Sequence, residues 1–176
     1  MRSWTLRKLD GEKRGRVRKT GEVKTQQLTV RTARSDDAAF VVGLSVRFAD
    51  AGTAWRSRDE VIAGTERALQ AAFDDPQPRD LVVIAEAAGE RMGFAFVSWH
   101  DDFFTGERYP HLSEIATVRD GEGIGSALLE HVEAWARTAG ARFLSLNVVR
   151  ENERGRAFYE TRGFELEYRH FAKVLK

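Results

Sequence analysis

The chain has 176 residues, a net charge of +1 and 42% hydrophobic residues, which suits one domain with a sizeable core. It contains no cysteine, and this excludes a disulfide scaffold, a thiolate zinc site and a cysteine acyl-enzyme. No apolar run approaches the roughly 20 residues that span a bilayer, and the N-terminus lacks the apolar segment of a signal peptide. We therefore expect a cytoplasmic protein with no membrane partner.

The small net charge conceals a basic N-terminal segment. Residues 1–27 carry nine Lys or Arg and three Asp or Glu. This segment has little apolar periodicity, so we expect a disordered tail ahead of a domain at 28–176. Such a tail contacts nucleic acid or is an appended segment without a role. The absence of aromatic residues beyond Trp4 favours the second interpretation, and we expect no nucleic-acid partner.

The first half of the domain predicts strands and helices in alternation, which favours α/β layering. Residues 28–33 form a short strand, and Ser35 is a candidate N-cap for a helix over 35–49. The capping box Ser57-Arg-Asp-Glu60 opens a second helix over 57–73. Two strands of a hairpin follow at 81–87 and 92–99.

A glycine-rich turn joins the next strand, 113–118, to a strongly periodic helix. Gly121, Gly123 and Gly125 permit positive φ and close approach of the backbone. A helix that starts here offers free N–H groups and the positive end of its dipole, which together suit a diphosphate. Neither G-x-x-x-x-G-K-[ST] nor G-x-G-x-x-G is present, so the two commonest nucleotide loops are excluded.

The second half of the domain continues the alternation. The helix after the glycines has an apolar stripe from Ile124 to Ala139 and ends at Gly140. A strand is predicted over 143–149, a helix begins at about Asn152, and a last strand is predicted over 168–175.

The motif Asn152-Glu-Arg-Gly155-Arg-Ala-Phe158-Tyr159-Glu-Thr-Arg-Gly163-Phe164, together with Gly123-Ile-Gly125 at the head of a helix, resembles the GNAT acetyltransferase superfamily. The resemblance implies an α/β fold, with a mixed sheet of six to seven strands and helices on both faces. It also implies acetyl-CoA or another short acyl-CoA as cofactor. The implied reaction is acyl transfer to a primary amine of a small molecule, or to a protein lysine or N-terminus. The sequence leaves a homodimer open.

In this family the pantetheine arm of the cofactor pairs with the fourth strand, and the glycine loop holds the pyrophosphate. The resemblance therefore implies these cofactor-binding residues: Ala116, Thr117, Val118, Arg119, Gly121, Gly123, Ile124, Gly125, Ser126, Asn152 and Phe158. The loop is shorter than is usual in the family. It carries Asp120 where an Arg or Gln is common, and Arg119 is the candidate substitute for that group.

Tyr159 and Glu114 are the candidate catalytic residues. Tyr159 shares a helix face with Asn152, and a neutral phenol can protonate a leaving thiolate or donate a hydrogen bond to it. A carboxylate at Glu114 can accept the proton of the attacking ammonium, whose pKa is near 10.4. The alternatives are a core tyrosine, a solvated glutamate and, for Asn152, the N-cap of its helix.

Acceptor recognition rests on weaker signals. In the family, the segment between the first two helices and the segment after the third strand usually bind the acceptor. The candidate acceptor residues are Trp55, Trp99, Asp101, Asp102 and Asn147. Acidic groups beside aromatic rings suit a cationic amine. The histidines show no metal-binding spacing, and we expect no metal. A non-catalytic module that binds acyl-CoA is the alternative function.

Overall fold

Five strands form one mixed sheet in the order β1-β2-β3-β4-β5 in the computed structural model, which describes residues 28–51 and 55–175. The strands are β1 (Leu28–Thr32), β2 (Leu81–Ala87), β3 (Glu90–Asp101), β4 (Arg108–Thr117) and β5 (Ser145–Leu146). The first four run antiparallel to their neighbours, and β5 runs parallel to β4. The predicted basic tail, 1–27, lies outside the described residues.

Helices cover both faces of the sheet, as predicted. They are α1 (Ala38–Gly43), α2 (Arg58–Asp74), α3 (Ile124–Thr138) and α4 (Glu153–Glu160). One face packs against α3 through Leu128 and Val132, and the other packs against α1 and α2 through Val41 and Leu69. All four of these side chains are fully buried.

Local signals account for several of these boundaries. Ser57 caps α2, because its Oγ accepts a hydrogen bond from the Glu60 N–H while the Glu60 carboxylate accepts one from the Ser57 N–H. Gly140 has a φ of 77° and follows Ala139, the C-cap of α3, as expected of a glycine that ends a helix. Ala88 and Gly89, both with positive φ, form the tight turn between β2 and β3.

The predicted helix over 35–49 is divided into three pieces. A 3₁₀ turn (Ser35–Asp37) precedes α1, and a 3₁₀ helix (Leu44–Ala51) follows it. Ser35 is not the N-cap, since Arg34 holds that position and its N–H donates to the Asp37 carboxylate at 2.7 Å. The α-helical turns end at Gly43, a residue with low helix propensity.

The mixed sheet has five strands in the described residues, fewer than the six to seven that the sequence predicted. The predicted strand over 168–175 has no ladder partner among the described residues, and the predicted strand over 143–149 is reduced to the two residues of β5. A strand exists only where a neighbour pairs with its N–H and C=O groups. Because β5 ends so early, the C-terminal segment has little strand edge to pair with.

A buried carboxylate joins three parts of the fold. Asp37 is fully buried and accepts hydrogen bonds from Arg31 of β1 at 2.6 and 3.0 Å and from Arg91 of β3 at 2.6 Å. Arg31 also contacts Glu86 of β2 at 2.5 Å. Hydrogen bonding to Arg31, above all, holds the pKa of Asp37 well below its usual range. This network anchors the segment before α1 to the sheet.

We expect Asp37→Asn to lower the free energy of unfolding at pH 7 by about 3 kcal/mol, because it leaves two arginines without their buried counter-charge. The lowered pKa means that this stabilisation is complete above the ordinary Asp pKa of about 3.9 and is lost as the pH falls below it. Urea denaturation at pH 7 and at about pH 2.5 should therefore show the gap to wild type shrinking in acid. Asp36→Asn is the matched control, since this exposed neighbour contacts Arg91 only at 3.3 Å. An equal loss in the control would contradict the argument.

Candidate functional site

The sheet opens between β4 and β5. The two strands pair only through His111 with Ser145 and Leu112 with Leu146. Beyond these pairs β4 continues to Thr117, whereas the chain after β5 departs towards α4. In the described part of the chain, the β5 side of Ser113–Thr117 has no strand partner. This edge offers free N–H and C=O groups to an extended ligand that carries amides.

A β-bulge in β4 aims Glu114 towards this opening. Phe96 of β3 pairs with Glu114 and Val97 pairs with Leu112, so Ser113 is the extra residue. The bulge reverses the alternation of side chains. Leu112 belongs to the apolar cluster on the α3 face and also borders the cleft, whereas Glu114 lies outside that cluster and lines the cleft with residues of α2. Ser113 is held by a hydrogen bond between its Oγ and that of Ser98 at 2.7 Å.

The cleft at the opening has a volume of about 510 Å³. One wall is built from Phe48 and the first half of α2, and the other from β4 and the residues after β5. Four residues that the sequence singled out line it together, namely Glu114, Asn147, Asn152 and Tyr159. Glu114 and Tyr159 are 45 positions apart in the sequence, and the fold places both on the wall of the same cleft.

Burial alters both candidate acid–base groups. It raises the pKa of Glu114 to about 7. Burial, and then the charge of Glu114, raise the pKa of Tyr159 to about 12. At neutral pH the cleft thus contains a carboxyl group poised between its two forms and a phenol that stays protonated. This pair can accept one proton and donate one hydrogen bond.

Asn152 and Asn147 line the cleft and also contact other residues of the protein. Asn152 caps α4, since its Oδ1 accepts a hydrogen bond from the Gly155 N–H at 2.8 Å. It lines the cleft as well, so the capping role and a ligand-facing position coexist. Asn147 lies 3.3 Å from Nε2 of His111, whose Nδ1 is 2.7 Å from the Ser145 Oγ. These contacts hold the walls together where β4 and β5 part.

The glycine loop leads from β4 to the N-terminus of α3. Gly121 and Gly123 have φ of 81° and 77°, which favour glycine, and space lies open where their Cβ atoms would be. Gly125 lies against the Phe158 ring, 3.7 Å from the position of a Cβ. The Ile124 side chain is buried in the core, so only its backbone is available to a ligand. Ser126 follows in the first turn of α3.

Arginines surround this loop. Asp120, the acid at an unusual position, accepts hydrogen bonds from Arg47 at 2.7 Å and from Arg154 at 2.8 Å. Arg162 lies 3.7 Å above the Phe158 ring and donates to the Ser126 Oγ at 2.5 Å. Arg119, the substitute expected from sequence, lies 3.7 Å from Glu122.

Sequence reasoning missed Arg47, Arg154 and Arg162. Arg154 and Arg162 had a local signal, since both lie within the motif Asn152–Phe164, whereas Arg47 lies far from it in the sequence. Around the loop, two acidic residues, Asp120 and Glu122, are outnumbered by four arginines, namely Arg47, Arg119, Arg154 and Arg162. This excess of positive charge near the N-terminus of α3 suits a phosphorylated ligand, despite Asp120.

The structure does not bring most of the acceptor candidates to the cleft. Trp99 packs edge-on against Trp135 with its indole nitrogen buried, under Arg79. Asp101 pairs with Arg108 at 3.3 Å. Asp102 accepts hydrogen bonds from the Phe104 and Thr105 N–H groups and so holds the turn between β3 and β4. Trp55 instead lines a smaller pocket of about 310 Å³.

Within residues 28–51 and 55–175, no helix is both long and apolar enough to cross a membrane. No group of three or more His, Asp or Glu side chains there could hold a metal ion.

With the opening, the glycine loop and the cleft in place, comparison with known proteins identifies the family. The model of the "Acetyltransferase (GNAT) family" matches residues 49–164, more than half of the chain. The chain belongs to the GNAT family. Acetyl-CoA is accordingly its cofactor, and the residues fit it: an unpaired strand edge for the amides of the arm, and glycines and arginines for the phosphates.

Similar proteins show how varied the acceptors of this fold are. The GNAT chain is 26% identical over 140 residues to the uncharacterized N-acetyltransferase YhfO of Bacillus subtilis, covering 78% of this chain and 90% of that protein. The structure of aminoglycoside N-acetyltransferase AAC(6')-Iy in complex with CoA has a TM-score of 0.62 at 20% identity, covering 86% and 96% of the two chains. Ribosomal-protein-alanine N-acetyltransferase from Brucella melitensis has a TM-score of 0.63 at 20% identity, covering 85% and 100%. The fold therefore fixes no acceptor.

Proposed function

We propose that this GNAT acetyltransferase moves an acetyl group to a primary amine by direct attack in a ternary complex. The observation that carries the proposal is the single cleft that holds both Glu114 and Tyr159 at the opening of the sheet. The chain has no cysteine to form an acyl-enzyme. A ternary complex needs room for an amine beside the strand edge, and the cleft of about 510 Å³ supplies it.

Glu114, Tyr159 and the free edge of β4 each have one role in this reaction. The bound cofactor supplies an acetyl thioester, so a C–N bond forms, a C–S bond breaks and a thiolate leaves. Glu114 accepts the proton that the ammonium must lose, directly or through water. Tyr159 donates a hydrogen bond where the sulfur develops charge. The free N–H groups along Ser113–Thr117 hold the arm in register.

The alternative is a non-catalytic module that binds acyl-CoA. The short glycine loop and Asp120 favour this alternative. The pairing of Asp120 with two arginines weakens that argument, because the acid is already compensated. The burial of Glu114 favours the enzyme, since a carboxyl group with a pKa of about 7 suits a general base near neutral pH.

An acceptor screen tests the proposal. Purified protein, acetyl-CoA and a panel of primary amines are incubated, and free CoA thiol is measured with and without each amine. We expect release that depends on the amine. Propionyl-CoA in parallel reports on the acyl chain. Cofactor binding by calorimetry without amine-dependent release from any acceptor would favour the non-catalytic alternative.

The pH profile then identifies the base. In wild type, kcat/KM should rise through about pH 7 as Glu114 loses its proton, and then level off. Glu114→Gln should lack this inflection and should follow the free amine up to its pKa of about 10. The kcat/KM of Glu114→Gln should be roughly 10²-fold below that of wild type near pH 8, and this difference should disappear at high pH. A retained inflection in Glu114→Gln would assign the base to another group.

A further inference from the structure

A second pocket, of about 310 Å³, adjoins the cleft. Trp55 and Arg56 form one side of it, before α2, and the C-terminal segment with His170 and Lys173 forms the other. Arg56 also lines the cleft that holds Glu114. The two spaces therefore meet at Arg56, and one small molecule can reach into both.

The charges of the second pocket have one sign. Arg56 lies 5.6 Å from the centre of the Trp55 ring. Within residues 28–51 and 55–175, neither Arg56 nor Lys173 has a carboxylate partner. No Asp or Glu lines this pocket. Two cations beside an aromatic ring, without a carboxylate partner among the described residues, suit an anion from outside.

The cleft itself carries the opposite charge. Its carboxyl groups are Glu114 and Glu60. The Glu60 carboxylate accepts hydrogen bonds from the N–H and Oγ of Ser57 at 2.8 and 2.9 Å, and these lower its pKa, so it is ionised at neutral pH. The cleft therefore favours an ammonium group, and the second pocket, which meets it at Arg56, favours an anion.

From this charge separation we infer that the acceptor is a small amine that also carries a carboxylate or a phosphate, and that Arg56 and Lys173 bind that anionic group. The inference rests on the proposed function and specifies its acceptor. The amine lies towards Glu114, and the anion lies in the second pocket. A polycationic acceptor fits less well, since Asp101 and Asp102 lie outside both spaces.

Matched acceptor pairs test this assignment. Lysine is compared with cadaverine, which lacks only the carboxylate, and phosphoethanolamine is compared with ethanolamine. We expect kcat/KM to be at least roughly tenfold higher for one anionic member than for its partner. The two pairs separate the sources of the anion, since a carboxylate-specific site prefers only lysine and a phosphate-specific site only phosphoethanolamine.

Variants assign the preference to its residues. Arg56→Gln and Lys173→Gln should each reduce kcat/KM for the preferred anionic acceptor by roughly tenfold, without lowering kcat/KM for its partner, the cationic amine that lacks the anionic group. Arg56→Lys should retain part of the preference. Arg58→Gln is the matched control, because Arg58 lies two residues further along, is exposed and is paired with Asp50.

The outcomes separate this inference from the proposed function. Equal rates for both members of each pair, or a preference that survives Arg56→Gln and Lys173→Gln, would overturn the anionic acceptor and leave acetyl transfer intact. Absence of acetylation of every amine would overturn both. A loss in Arg58→Gln equal to that in Arg56→Gln would show a general charge effect, and this too would overturn the assignment.

Discussion

Tyr159→Phe is expected to lower kcat roughly 10²-fold while the Kd for acetyl-CoA stays near that of wild type. The substitution keeps the ring, which packs edge-on against Phe158 and Phe164, and removes only the hydroxyl. Steady-state CoA release and calorimetry measure the two quantities. The loss should appear in kcat because the hydrogen bond to sulfur strengthens only as the thioester breaks.

The pKa values indicate how the hydroxyl acts. A phenol with a pKa of about 12 does not readily protonate a thiolate, whose own pKa is near 8.5, so Tyr159 first donates a hydrogen bond. Part of that raised pKa comes from the charge of Glu114. When Glu114 takes the proton of the amine, this charge disappears and Tyr159 becomes a better donor. The two groups are therefore coupled, and each supports the step that the other makes.

Tyr109→Phe is the control for this prediction. Tyr109 lies on β4, stacks on Phe143 and does not line the cleft. It should retain wild-type kcat. If Tyr159→Phe turned over as fast as wild type, the hydroxyl would have no part in the reaction, and water would have to supply the hydrogen bond to sulfur.

Local signals in the sequence were sufficient for much of the fold. The Ser57 capping box, the apolar stripe of α3 and the glycine after it act within one or two helical turns, and each lies where the sequence predicted it. The predicted strand over 168–175 does not form, because a strand depends on contacts that are distant in sequence and not on local signals. Its composition suits a strand, but a strand depends on a partner elsewhere in the chain, and the pairing of β5 stops at Leu146.

The same distinction between local signals and long-range packing applies to the candidate site. Glu114 and Tyr159 could be selected by position in a motif, but the desolvation that moves their pKa values depends on packing. Trp99 looked like a binding residue because it precedes two acids, yet it packs against Trp135 from α3. Arg47 had no local signal at all, because its partner Asp120 lies 73 positions away.

Arg154→Gln and Arg47→Gln are each expected to raise the Kd for CoA by roughly tenfold, with a weaker dependence on salt than in wild type. Both side chains are exposed and meet at Asp120, beside the glycines that should hold the diphosphate. Exposed ion pairs contribute little to stability, so these arginines can exchange a carboxylate for a phosphate at small cost. Calorimetry over a range of salt concentrations measures both quantities, and the melting temperature should hardly change.

Asp120→Asn should act in the opposite direction and lower the Kd for CoA, because it removes a negative charge from the loop and releases both arginines to the ligand. Glu122→Gln removes the same charge from the same loop, but its partner is Arg119 at 3.7 Å, so a smaller gain is expected. Comparison with dephospho-CoA shows whether the arginines contact the diphosphate or the 3'-phosphate, since only the latter contact is lost. If Asp120→Asn instead weakened binding tenfold, the carboxylate would be holding the arginines in place for the ligand. The unusual acid of this loop would then be part of the binding site and not its competitor.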